Sequence, residues 1–176
     1  LERIEKAIAR LKEYGNKKIG IAGASTTGTL ALTAASYFPE ITLTIAMTPS
    51  DFIWQGFEQG KKDGCGEWPI ENESLFSYRG EPLPYMPFCY KHPDYWRVMR
   101  TEAKSTGNMT ASRKIFDDSE AAHPITEAEF IKVENIKGKL LMIAAEDDCL
   151  WDAAKYVRRA EKRLNEKPHV CAVETA

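Results

Sequence analysis

Gly20-Ile21-Ala22-Gly23-Ala24-Ser25-Thr26-Thr27-Gly28-Thr29-Leu30 sets a lone serine between an apolar run and a helix-forming run. That is the setting of a nucleophile elbow, where a serine occupies a sharp, strained strand-to-helix turn. The residues two before and two after such a serine must be small. Gly23 meets the first demand. Thr27 stands at the second, with Gly28 one step later, so the strict G-x-S-x-G pattern is broken at its last letter and the turn geometry stays open. A plain helix start competes with it, Ser25 or Thr26 serving only as an N-cap. A G-x-G-x-x-G phosphate loop is a third reading, but Gly20, Gly23 and Gly28 have the wrong spacing for it.

Outward from the serine the pattern alternates. Ile4, Ala7, Ile8, Leu11 and Tyr14 recur at helical spacing over residues 2–14, and Gly15-Asn16 stops that helix. Lys18–Ala22 reads as a short apolar strand, Thr26–Tyr37 as an Ala/Leu-rich helix and Ile41–Met47 as a second strand. Lys139–Ala145 reads as a third strand, followed by a helix to about Leu164 and a fourth strand over His169–Val173. Apolar strands alternating with helices predict an α/β fold whose mostly parallel sheet is covered by helices on both faces. From Thr48 to about Asn135 the periodicity fails. This stretch is too long for a plain loop and is expected to form a lid-like insertion over about residues 50–135, with a helix near Asp94–Lys104 and turns at Glu67-Trp68-Pro69-Ile70 and Arg79–Pro84.

The chain of 176 residues fits one domain, and 43% hydrophobic with 28% charged residues is ordinary for a soluble protein. A net charge of −2 gives no electrostatic reason to propose nucleic acid as a partner. No apolar run approaches the roughly 18 to 20 residues needed to span a bilayer. The expected partner is a small molecule and the default location cytoplasmic. Cys65, Cys89, Cys149 and Cys171 are scattered, with no C-x-x-C pair and no metal-ligand spacing, so they read as free thiols and no metal or cofactor is expected.

Glu146-Asp147-Asp148 directly follows an apolar strand, as Ser25 does. Ligand chemistry in an open parallel sheet sits beyond the carboxyl ends of its strands. Serine then aspartate, each at a strand end, is the α/β-hydrolase order of nucleophile and acid. The alternative for the Asp-Asp pair is the N-cap of the next helix.

On these residues the sequence resembles the C-terminal catalytic domain of the acyl-CoA thioester hydrolase and bile acid-CoA:amino acid N-acyltransferase family. The likeness lies in Gly23-Ala24-Ser25-Thr26, Ala34-Ala35-Ser36-Tyr37-Phe38-Pro39-Glu40-Ile41, Pro49-Ser50 and Trp54-Gln55-Gly56. It continues in Tyr78-Arg79-Gly80-Glu81-Pro82-Leu83-Pro84 and in Glu146-Asp147-Asp148 with Trp151, and so spans most of the chain. The resemblance implies an α/β-hydrolase fold and a serine hydrolase that cleaves an acyl thioester through an acyl-enzyme. It implies Ser25 as nucleophile, Asp148 as acid with Asp147 the alternative, and the Thr26 N–H as one oxyanion-hole donor. The family's amidating transferases carry cysteine where Ser25 stands, which points this chain towards hydrolysis.

A triad also needs a histidine as base. His169 starts the last strand, about 13 Å from its far end at 3.3 Å per residue, on the wrong edge of the sheet. His92 and His123 lie in the insertion and reach the serine only if it folds back over the site. In the resembling family the histidine follows the last strand, so it is expected after Ala176, and the second oxyanion donor before Leu1. The chain then reads as a fragment that lacks its catalytic histidine, is expected to have little or no hydrolase activity by itself, and exposes an apolar sheet edge that favours self-association. The competing reading is a catalytically inactive hydrolase-fold protein that binds an acyl ligand. A flavodoxin-like or response-regulator-like domain with a metal on Asp147 and Asp148 fits less well, because those acids come late in the chain.

Overall fold

A computed structural model describes residues 1–60 and 66–176, so Lys61, Lys62 and Cys65 lie outside the described residues. The element order is α1 (Glu2–Glu13), β1 (Ile19–Ala24), α2 (Thr26–Tyr37), β2 (Ile41–Met47), β3 (Gln55–Gly60), β4 (Gly66–Ser74), β5 (Ser77–Tyr78), β6 (Glu81–Pro82), α3 (Asp94–Thr106), α4 (Arg113–Ala122), β7 (Lys139–Ile143), α5 (Ala153–Glu166) and β8 (Ala172–Thr175). β1, β2, β7 and β8 form one parallel sheet in that spatial order, and the fold is a mixed α/β fold of α/β-hydrolase type.

α1, α2 and α5 all pack on one face of this sheet. Ile8 of α1, Leu32 of α2, and Val157 and Leu164 of α5 join Ile19, Ile41, Ala46, Leu140 and Met142 in one core. On the opposite face Leu43 is 41% exposed and Met47 38%, with Ala22 and Ala24 exposed beside them. The apolar strands predicted helices on both faces; among the described residues the sheet is covered on one. The reason is topological. Each strand is added on the same side of its predecessor, and right-handed crossovers progressing one way leave their helices on one face.

α2 carries no charge and is buried around most of its circumference, as a helix within a core must be. Leu32, Ala34 and Ala35 meet the core, while Thr29 and Thr33 are 1% and 2% exposed. Its other side meets a 3-10 turn over Val133–Asn135. A hydroxyl network holds α2 to the segment leaving β2. The Ser50 N–H donates to Thr29 Oγ1 at 3.0 Å, the two hydroxyls lie 3.0 Å apart, and Ser50 Oγ donates to the Phe52 carbonyl at 2.6 Å.

The stretch from Thr48 to Asn135 contains more regular structure than its sequence predicts. β3 and β4 pair as an antiparallel hairpin, and Pro69, expected in a turn, lies in β4 opposite Phe57. A two-stranded ribbon leaves outward N–H positions where proline is tolerated. Arg79 and Gly80, at φ 55° and 83°, make the tight turn between β5 and β6 that the sequence suggests. α3 is found as expected; α4 is not foreseen, its apolar positions Ile115 and Phe116 being too few to stand out. The last strand begins at Ala172 rather than His169, because Ala172 is the first residue to pair with Lys139 of β7.

The motifs beyond the elbow prove structural in the first instance. Gln55 accepts from the Phe88 N–H and donates to the Ile70 carbonyl, and a Cβ on Gly56 would lie 3.1 Å from the Ser74 carbonyl. Tyr78 donates to Glu5 at 3.0 Å and meets Phe38 edge to face, tying the β5–β6 ribbon to α1.

Asp51, 3% exposed at its side chain, takes a bidentate pair from Arg159 at 2.5 and 2.6 Å. Burial pushes its carboxyl up from the ordinary value, and the guanidinium opposes that shift. Removing one partner of such a pair costs about 3–5 kcal/mol. Arg159→Ala is therefore expected to lose that much stability at neutral pH in chemical denaturation. The deficit shrinks as the pH falls, since the raised Asp51 carboxyl then takes up its proton in the folded state before the unfolded chain does.

Candidate active site

Ser25 sits at φ 54°, ψ −127°, between the last residue of β1 and the first of α2. A non-glycine residue there is strained by about 1–3 kcal/mol and persists only where its surroundings hold it. The restraint is visible. The Ser25 N–H donates to the Met47 carbonyl at 2.9 Å, and its own carbonyl accepts from Thr29. Gly23 is obligatory, because a Cβ on it would lie 2.1 Å from the Thr27 carbonyl oxygen. A Cβ on Gly28 would lie 2.8 Å from the Met47 carbonyl, so the second small residue is needed three positions after the serine rather than two.

Thr27 fits the position usually given to glycine because its hydroxyl turns back onto the strand. Thr27 Oγ1 donates to the Ala24 carbonyl at 2.8 Å and accepts from the Ala24 N–H at 3.0 Å. The departure from the strict motif is thus a local staple. Although Ser25 holds the N-cap position of α2, its side chain makes no capping bond, so capping is not what its hydroxyl does. Thr26 is the first residue of α2, where a backbone N–H has no partner within the helix and faces the positive end of the helix dipole.

Asp147 is exposed and Asp148 half-buried. Neither caps the next helix. That role falls to Asp152, whose side chain accepts from the Lys155 N–H at 3.0 Å. Asp148 Oδ1 instead accepts from the Leu150 N–H at 2.9 Å, closing its own turn. Glu146 is engaged elsewhere, forked by Arg158 at 2.6 and 3.1 Å, which lowers its carboxyl.

The strand ends that carry Ser25 and Asp148 are level. Ala24 pairs with Met47, and Met47 with Ile143. With β2 between them they stand about 10 Å apart at the usual 4.8 Å strand spacing. That gap suits a hydrogen-bonded imidazole, which separates two oxygens by about 8 Å. The histidines of the sequence do not fill it. His123 pairs with Glu129 at 2.7 Å, His92 is exposed, and His169 is exposed at the amino end of β8. Among the described residues no histidine lines the cavity at Ser25.

That cavity holds about 170 Å³ and is bounded by Ser25 and Thr26 on one side. Its walls are aromatic: Trp54, Phe57, Tyr95, Trp96, Phe116 and Trp151. Most of these come from the stretch between β2 and β7, so the expected folding-back over the serine is what encloses the space.

The loop bearing Asp148 is braced by the same stretch, a set of contacts the sequence does not reveal. Arg113 of α4 donates to the Asp148 carbonyl at 3.0 Å and pairs with Asp152. The Ser112 N–H donates to the Cys149 carbonyl at 3.1 Å, and Ser112 Oγ to that of Leu150 at 3.3 Å. Trp151 Nε1 donates to the Thr48 carbonyl at 3.1 Å. Thr48, at φ 44°, is a second strained residue, on the strand end between the serine and the acid. Its only sequence signal is its place between an apolar run and Pro49.

A family model described as BAAT / acyl-CoA thioester hydrolase C terminal matches residues 1–175. The chain belongs to that family. None of the curated proteins compared with it matches. Membership of the BAAT / acyl-CoA thioester hydrolase family carries an enzyme of the acyl-CoA thioester hydrolase and acyltransferase type. No helix among the described residues is long and apolar enough to cross a membrane.

The Thr27 staple is open to direct test. Thr27→Val keeps the shape and removes both bonds to Ala24, with an expected cost of about 1–2 kcal/mol in the denaturation midpoint. Thr27→Ser keeps them and should stay close to the parent.

Proposed function

We propose that this domain is a serine hydrolase cleaving acyl-CoA thioesters, with Ser25 as nucleophile, Asp148 as the triad acid and the Thr26 N–H as one oxyanion donor. The observation that carries the reading is the backbone of Ser25. A strained, positive-φ serine with its hydroxyl free of capping, at a helix N-terminus and beside an apolar cavity, is costly to build for packing alone.

In this mechanism Ser25 Oγ loses its proton to a base and attacks the thioester carbonyl. The oxyanion that forms lies at the N-terminus of α2, where the Thr26 N–H stabilises it; a donor of this kind is worth about 3–4 kcal/mol in the transition state. The C–S bond breaks, the coenzyme thiol leaves with the proton, and water resolves the acyl-serine by the same steps. The acyl group occupies the aromatic cavity. Serine rather than cysteine at position 25 supports transfer to water over transfer to an amine.

The resemblance puts the base, a histidine, after the last strand. β8 runs to the appropriate edge: Ala176 donates to the Met142 carbonyl and accepts from the Ala144 N–H, beside the loop that carries Asp148. A side chain delivered from there reaches the gap between the two strand ends.

In the complete protein, which carries the histidine this reading requires, Ser25→Ala is expected to abolish acyl-CoA hydrolysis and to leave the fold intact, measured as thiol release together with circular dichroism. Asp148→Asn should reduce kcat by several orders of magnitude, as removal of the triad acid does in serine hydrolases, while Asp147→Asn leaves it within a few-fold. Undiminished turnover in Ser25→Ala refutes the assignment.

A further inference from the structure

We propose that the cavity beside Ser25 selects compact acyl groups of about six carbons, short-chain or aryl, and turns away long alkyl chains. The inference rests on the reading that Ser25 attacks an acyl thioester, and it adds what that thioester carries.

Volume is the first argument. The cavity is about 170 Å³. An apolar protein cavity of about 150 Å³ takes up benzene, so the space beside Ser25 suits a group of about six carbons.

The walls are the second. Trp54 is 2% exposed, Trp151 3% and Phe116 7%. Trp54 stacks on Phe88 with centroids 4.9 Å apart and meets Phe52 and Phe116 edge-on at 4.8 and 4.9 Å. Phe116 meets Trp151 edge-on at 5.4 Å, and the Trp151 indole is fixed by its bond to Thr48. These rings belong to a second core that includes Tyr156 of α5. A close-packed interior does not open for further methylenes without strain. The walls that these rings form are therefore fixed.

The composition of the walls is the third. Rings presented to one small space favour flat or short guests that make edge and face contacts. The adjustable wall is α3, where Met99 is half-buried, unlike Trp54, Phe116 and Trp151, and has the flexible side chain that such a boundary needs. Met99 thus tunes the limit that the fixed rings place on acyl length.

Trp54, Trp96 and Trp151 line the cavity, so occupancy reads directly as a change in indole fluorescence. The experiment titrates the protein with non-hydrolysable S-alkyl-CoA thioethers of four, six, eight, twelve and sixteen carbons and with the S-phenethyl analogue. Hydrolysis of the matching thioesters is followed in parallel for the complete protein and its Ser25→Ala variant. Affinity is expected to rise about fourfold per methylene to six carbons, to fall at least about tenfold by twelve, and to be high for the phenethyl analogue. Met99→Ala should move the optimum up by about two carbons, and Met99→Trp should abolish binding with an unchanged melting temperature. Affinity that rises or stays level through sixteen carbons overturns the proposal, as does an optimum that Met99→Ala leaves in place. The two readings fail separately. Hydrolysis that survives Ser25→Ala removes the serine mechanism while an optimum at six carbons keeps the size selection; serine-dependent hydrolysis with no length optimum does the reverse.

Discussion

The backbone of Ser25 is the constraint on which the rest of the structure depends. A serine held at φ 54° requires a strand that stops, a helix that starts at once, and almost no volume on either side. Gly23 and Gly28 provide the space, and Met47 of the neighbouring strand contributes the carbonyl that anchors the Ser25 N–H. Because that carbonyl belongs to β2, the turn exists only when β1 and β2 are paired in register. The local strain is thus offset by long-range structure, a common arrangement where a side chain must be presented rather than packed.

Around that point the molecule has two cores with separate tasks. The aliphatic one lies between the sheet and α1, α2 and α5 and fixes the level of the strand ends. The aromatic one lies between α5 and the stretch from β3 to α4, and it shapes the space beside the serine. They meet at α2, whose Thr29 hydroxyl holds the segment that leads to Trp54. The Asp51–Arg159 pair secures the same segment to α5. The level of the strand ends is therefore set by one core and the shape of the space beside the serine by the other.

Much of this was legible in the sequence. The four strands of the sheet, α1, α2 and α5 follow from apolar periodicity and from glycine and proline stops, and Ser25 and the Asp147-Asp148 pair follow from their places after apolar runs. What was not legible depends on contacts between distant residues. Thr27 looks like a defect in the motif until its hydroxyl is seen bonded to Ala24. α4 has too short an apolar face to stand out, and Arg113 reads as one more surface charge. That α1, α2 and α5 share one sheet face was hidden because strand composition records burial, whereas the side taken by each helix depends on strand order. The histidines illustrate the reverse case: residue type suggests a base, and position excludes His169.

The bracing of the acid loop by α4 has a consequence for how sequences of this kind can vary. Three successive carbonyls, those of Asp148, Cys149 and Leu150, are held by Arg113 and Ser112, which lie more than thirty positions earlier in the chain. The stretch that lines the cavity beside Ser25 is therefore also the mount for the loop that carries Asp148. Remodelling α4 to reshape the cavity would displace the Asp148 loop with it, whereas changes on α3 leave the mount untouched. Diversification should accordingly accumulate on α3, with the start of α4 held as still as the elbow itself.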